Sequence, residues 1–109
     1  MDNGPEPRIT LHPHSRRVHV VIEDTLLADS TRAIEMRERS YPPRQYIPRD
    51  DVRMDLLTRS ETVTHCPFKG DASYCSFGEH NDVVWSYAEP VEGIEEIEGS
   101  VVFYQGVSE

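Results

Sequence analysis

Two short runs hold most of the side chains that could do chemistry: Pro48-Arg49-Asp50-Asp51-Val52 and Thr64-His65-Cys66-Pro67-Phe68-Lys69-Gly70. Cys66 is a candidate nucleophile, because a nearby cation, base or helix N-terminus lowers a thiol pKa and exposes the thiolate. His65 is adjacent in sequence, but neighbours on an extended strand face opposite sides. His65 then shares a face with Val63, and Cys66 with Thr64. A direct dyad needs the chain to leave β geometry at Pro67. Lys69, the single lysine, and Arg49 are better placed as cations for Cys66. The plainer role for Cys66 is a small buried hydrophobe. Asp50, Asp51 and Asp55 form an acidic group in which Asp50 or Asp51 fits the cap of a helical turn. Beside Arg49, His65 or Lys69, one of these carboxylates fits a general base or an orienting partner. The candidate catalytic set is therefore Arg49, Asp50, His65, Cys66 and Lys69.

Tyr46, Tyr74, Trp85 and Tyr87, with Phe68, are the aromatics nearest these runs. Core packing is their default use. Trp85 and Tyr87, at alternate positions of one strand, also suit the wall of a ligand pocket that polar groups of the 64–70 loop close. An aromatic cage favours a planar or cationic ligand. No metal or cofactor is expected. Cys66 and Cys75 are nine apart, and with His12, His14, His19, His65 and His80 they show no zinc-ligand spacing. The three aspartates also suit Mg²⁺ on a nucleotide, but no glycine-rich phosphate loop accompanies them.

The elements that position these residues read as short strands. Val18, Val20 and Ile22 alternate with Arg17 and His19, which predicts a strand with one buried face. Glu23-Asp24-Thr25 reads as a tight turn before a second strand over 26–30. Residues 33–38 alternate again, with Ile34 and Met36 on one side, and read as strand rather than helix. Tyr41-Pro42-Pro43 is a loop. Residues 45–47 are a short extended piece, a helical turn follows at Asp50 or Asp51, and Val52, Met54 and Leu56 alternate with Arg53 and Asp55. Arg59-Ser60-Glu61 reads as a turn before a β-rich run over 62–66. The four residues 67–70 read as a hairpin loop before a strand over 72–77. That register sets Cys66 opposite Asp71 and Cys75 opposite Thr62, too far apart for a disulfide. A polar loop over 78–82, a strand over 83–87, an acidic connection over 90–98 with one helical turn, and a last strand over 100–105 complete the chain. About eight short strands with turns between them predict an all-β fold with minor helical turns. Residues 1–15 read as a partly ordered tail held by Ile9 and Leu11, and 16–109 as a single β domain.

A chain of 109 residues supports one core. No apolar run approaches the roughly 20 residues of a membrane span, and no charged-then-apolar leader opens the chain, so a cytoplasmic protein with free thiols is expected. The formal net charge is −9 and is uneven: residues 79–109 hold eight acids and no Lys or Arg. That third repels phosphate, which disfavours nucleic acid as a partner. It serves as a solvated surface or meets a basic partner. Composition and spacing describe a soluble, acidic, mostly β domain and do not say what it does.

Several motifs, in order, resemble those of the domain of unknown function 427 family, small bacterial proteins sometimes labelled nucleotidyltransferase-like. They are Tyr41-Pro42-Pro43, Pro48-Arg49-Asp50-Asp51-Val52, the run from Thr64 to Gly70, Ala72-Ser73-Tyr74 and Trp85-Ser86-Tyr87, and they cover most of residues 8–106. The resemblance implies a β-tent-like fold, two antiparallel sheets meeting along one edge with a pocket between them. It implies no reaction. Cys75 stands where the family pattern has Trp, which thins any aromatic wall there and adds a thiol. Three readings follow. The first is a pocket for an unidentified small molecule, with or without catalysis, built from the five candidate catalytic residues with Tyr46, Tyr74, Trp85 and Tyr87 as walls. The second is a non-catalytic adaptor. The third is a Mg²⁺-dependent nucleotidyltransferase.

Overall fold

The computed structural model describes residues 8–109. Residues 1–7, part of the expected tail, lie outside the described residues. The described residues form ten strands: β1 (Ile9–His14), β2 (Val18–Ile22), β3 (Thr25–Ser30), β4 (Ala33–Glu38), β5 (Arg44–Tyr46), β6 (Thr58–Cys66), β7 (Gly70–Phe77), β8 (His80–Tyr87), β9 (Val101–Phe103) and β10 (Val107–Ser108). Single 3-10 turns occupy Arg49–Asp51, Met54–Leu56 and Glu95–Ile97. The fold is all-β, as the alternation predicts. No helix among the described residues is long and apolar enough to cross a membrane.

Local turn chemistry explains the hairpins. Glu23 and Asp24 carry φ of 50° and 63° between β2 and β3, the positive-φ pair that a two-residue turn needs to match strand twist. Phe77 pairs with His80, so the expected polar loop shrinks to Gly78 and Glu79, with Gly78 at φ +55°. The sheets are antiparallel, in the orders β1-β4-β5, β10-β2-β3 and β6-β7-β8-β9. The described residues thus form three sheets where the resemblance implies two. The first and third are joined by an isolated bridge in which Ile47 and Val101 exchange two N–H···O bonds of 2.8 Å.

The core explains why β8 reads as an almost unbroken apolar run. All residues from Val83 to Tyr87 are buried, because this strand is covered on both faces. Val84, with Val101 and Phe103 of β9, packs against Val18, Val20 and Leu27 of the β10-β2-β3 sheet. Trp85 and Tyr87, with Val102, pack on the other side against Met36 and Tyr46 of the β1-β4-β5 sheet, closed below by Ile94 and Ile97. Strand alternation divides the side chains between the two faces.

Several expectations are corrected. Ile9–His14 is a full strand paired with β4, and Pro13 is tolerated because β1 is an edge. Arg59-Ser60-Glu61 is an irregularity inside β6, where the register with β7 shifts between Arg59 and Val63. The alternation of Val52, Met54 and Leu56 does not make a strand. Val52 forms an isolated bridge with Ala28, Arg53 N–H donates to Leu27 O at 2.8 Å, and a 3-10 turn follows. The last strand is cut short at Phe103, and Gly106, at φ +82°, redirects the chain into β10 beside β2.

Candidate functional site

The faces of the first and third sheets that meet in the core do not close completely. Between them lies a cavity of about 160 Å³, close to the roughly 150 Å³ that admits one benzene ring in an engineered apolar cavity. Tyr74 and Trp85 are register partners on β7 and β8, as are Ala72 and Tyr87, so three aromatic rings project from one face of this hairpin pair. Met36 of β4 and Tyr46 of β5 come from the facing sheet, with Glu38 and Arg44 at the ends of the same strands. Tyr41, Pro42, Lys69 and Tyr104 complete the lining.

Lys69 reaches this cavity from the β6–β7 hairpin. Cys66 pairs with Gly70, so the loop is Pro67, Phe68 and Lys69, one residue shorter than the sequence suggests. Lys69 N–H donates to Cys66 O at 3.1 Å, and its carbonyl accepts from Val91 N–H at 3.1 Å. Gly70 sits at φ +116° with Glu89 O only 3.0 Å from where a Cβ would lie, so only glycine fits without strain. The Lys69 ammonium donates to Glu38 Oε1 at 2.7 Å and stands 6.0 Å from the centre of the Tyr87 ring. Both partners are largely buried, their side chains 16% and 9% exposed.

On the other side, Arg44 lies 5.6 Å from the Trp85 ring centre and 5.8 Å from that of Tyr104. Trp85 and Tyr104 are themselves 4.2 Å apart in a tilted pair. Such cation–ring contacts are attractive and leave the guanidinium edges able to donate. Burial pushes the phenols of Tyr46 and Tyr87 well above the usual tyrosine range, and a hydrogen bond with Trp85 opposes this only in part at Tyr46. Burial, then the hydrogen bond to Tyr74, raises Tyr104 as well. The buried phenols are neutral hydrogen-bonding groups near neutral pH, not bases. Tyr74 OH shares a 3.0 Å hydrogen bond with Thr64 Oγ1.

Of the residues singled out from sequence, Tyr46, Tyr74, Trp85, Tyr87 and Lys69 come together in this cavity. Cys66 is half-buried and is not part of the lining. The rest are elsewhere. His65 pairs in register with Asp71, is 71% exposed, and shares a 2.7 Å hydrogen bond with the Asp71 carboxylate. Arg49 lies on the opposite face of the sheet, where its Nε donates to Gly99 O at 3.0 Å and its Nη2 to Ser86 Oγ at 3.2 Å. Ser86 lies between Trp85 and Tyr87 in sequence, and alternation turns it away from them. Asp50 is exposed. Arg49, His65 and Lys69 therefore do not share one concavity, and the five-residue catalytic constellation expected from sequence is not assembled.

The acidic group also differs from expectation. The turn over Arg49–Asp51 has no side-chain cap. Asp51 instead accepts from Ser30 Oγ at 2.7 Å and from Arg32 Nη2 at 3.1 Å, and these bonds, Ser30 first, hold its carboxyl below the usual range. Asp55 pairs with Arg53 at 2.8 Å. Among the described residues no group of three or more His, Cys, Asp or Glu side chains is placed to hold a metal ion. Sequence reasoning missed Glu38, Arg44 and Tyr104. Glu38 and Arg44 flank Tyr41-Pro42-Pro43, and a partner for the single lysine was the signal available.

The fold and cavity define a class: a three-sheet antiparallel protein with an aromatic cleft, carrying one buried ion pair, between two of its sheets. The chain belongs to the family described as domain of unknown function DUF427, whose model matches residues 10–109. No curated protein matches the chain significantly.

Proposed function

We propose that the protein binds a small planar molecule in the cleft between the β1-β4-β5 and β6-β7-β8-β9 sheets. One observation carries this reading. Aromatic rings from β5, β7 and β8 converge with the Lys69–Glu38 pair on a cavity of about 160 Å³. A core built only for stability would fill such a space with aliphatic side chains, because unfilled volume costs stability. The rings offer faces for stacking, while Lys69, Arg44 and neutral phenols offer donors at the edges. Arg44 disfavours a cationic ligand, so of the two classes an aromatic cage accepts, the planar neutral or anionic one is preferred.

Binding, not catalysis, is the extent of this reading, because His65 and Arg49 stand away from the cleft and Cys66 lies outside its lining. The Mg²⁺-dependent nucleotidyltransferase reading is weakened by Asp51 and Asp55, whose carboxylates are each held by an arginine. A reducing, cytoplasmic setting suits the two free thiols.

The experiment uses the single tryptophan, Trp85, as reporter. Nicotinamide and uracil, two neutral planar probes of ring size, are titrated while emission and thermal midpoint are followed. A saturable emission change with a raised midpoint is expected, weakened in the Tyr41→Ala variant, whose side chain is exposed at the cleft. No saturable change with either probe at millimolar concentration, or equal binding by the variant, would overturn the proposal.

A further inference from the structure

We propose that a second cleft, on the face of the β6-β7-β8-β9 sheet turned away from the aromatic cavity, binds a small organic anion: a carboxylate or phosphate head on a short apolar body. Its floor is a patch of four side chains set by register. Ser73 of β7 pairs with Ser86 of β8, and Cys75 with Val84. Arg49, Met54, Leu57 and Arg59 stand over this floor and enclose a volume of about 190 Å³.

Charge is the first argument. The chain carries 20 acids against 11 bases, and six arginines stand within 4.0 Å of a carboxylate oxygen. Among the described residues Arg44, which lies against the Trp85 and Tyr104 rings, has no such partner, and neither do Arg49 and Arg59. The latter two line this cleft, and no Asp or Glu lines it. Two guanidiniums that line one cleft with no carboxylate among its lining give it a positive potential that favours an anion.

Donor geometry is the second argument. Arg49 is held in place through Nε on Gly99 O, Nη2 on Ser86 Oγ and a 3.8 Å contact of Nη1 with Met54 Sδ. That leaves an N–H on each terminal nitrogen without a protein acceptor among the described residues. Ser86 Oγ accepts from Arg49, and its own O–H remains a donor. A planar fork fixed in this way suits a two-oxygen head, which a lysine would hold only as a point charge. The apolar side chains explain the body. Met54, Leu57 and Cys75 are half-buried against the core, and the volume admits one ring.

The test is amide-resolved NMR of the full chain titrated with phenyl phosphate, benzoate, inorganic phosphate and the neutral benzyl alcohol. Phenyl phosphate or benzoate is expected to shift the amides of Ser73, Cys75 and Ser86 saturably, and whichever binds more tightly identifies the head. Benzyl alcohol should leave these amides unmoved, and inorganic phosphate should bind more weakly than phenyl phosphate. Arg59→Gln changes an exposed side chain and should weaken binding about tenfold or more at an unchanged thermal midpoint. Arg49→Gln should weaken it further, together with some loss of stability. The proposal is overturned if neither organic anion shifts those three amides, if Arg59→Gln binds as tightly as the native chain, or if benzyl alcohol or inorganic phosphate binds as well as phenyl phosphate.

Discussion

Lys69 and Glu38 stand 31 positions apart in sequence and meet at 2.7 Å across the edge of the aromatic cleft. The bond ties the β6–β7 hairpin of one sheet to the end of β4 in another. Arg8 adds a second, weaker cation, its Nε 4.0 Å from Glu38 Oε2. Neither Lys69 nor Glu38 is well solvated, so the pair acts less as a source of net stability than as a fixed joint whose loss strands a charge.

That asymmetry is measurable. Glu38→Gln leaves Lys69 without a carboxylate and is expected to cost about 3 kcal/mol, the usual scale for breaking a buried pair. Lys69→Met should cost less, because Arg8 still faces Glu38 and the Met side chain fills the space. The double change Glu38→Leu with Lys69→Met should recover part of the loss. Urea denaturation of the three variants checks the order, and equal costs for the two single changes would contradict it.

The buried phenols make stability sensitive to alkali. Burial raises Tyr46 and Tyr87 in the folded chain above their unfolded value of about 10. The unfolded chain releases these protons first, so the stability they contribute is complete below about pH 10 and is lost as the pH rises beyond it. Denaturation midpoints should fall steeply above pH 10. Tyr87→Phe should flatten that fall, as followed by tyrosinate absorbance and circular dichroism together.

Asp51 predicts the opposite sign in acid. Its hydrogen bonds with Ser30 and Arg32 depress the carboxyl in the folded chain. Stability from this network is therefore present above the unfolded value of about 4 and lost as the pH falls through the depressed one. Asp51→Asn should weaken the protein by about 1–2 kcal/mol at neutral pH, with a smaller penalty near pH 3. A pH series of chemical denaturation on both proteins decides this.

Gly70→Ala tests the hairpin that carries Lys69. A Cβ there would meet Glu89 O at 3.0 Å on a backbone at φ +116°. A destabilisation of about 1–3 kcal/mol is expected from the strained conformation alone, together with weaker planar-ligand binding because Lys69 is displaced. Thermal denaturation and the Trp85 titration read the two effects separately.

The thiols offer a simpler check. Cys66 pairs with Gly70 and Cys75 with Arg59, which separates them by five positions along β7, roughly 17 Å at strand rise. Both should alkylate in the native protein without reductant. Mass spectrometry should detect no intramolecular disulfide.

Sequence alone determined what depends on neighbours along the chain. Alternation placed Val18, Val20 and Ile22 on one buried face, and put Trp85 and Tyr87 on the side of β8 that lines the aromatic cleft, because a strand repeats every two residues whatever lies around it. Glu23 and Asp24 signalled a tight turn, and the two do take positive φ. Tertiary structure decided the rest. Val52, Met54 and Leu56 alternate like a strand, but Leu27 O captures the Arg53 N–H and the chain turns instead. Arg49 and Lys69 looked like partners because both lie near the motifs, and they are separated because β8 presents Ser86 and Trp85 to opposite faces, Arg49 bonding to one and Lys69 entering the cleft lined by the other. Glu38 became the partner of Lys69 only because two sheets stack on a shared core. Periodicity along one strand carries no information about which sheet it will face, and that contact is where the cleft is made.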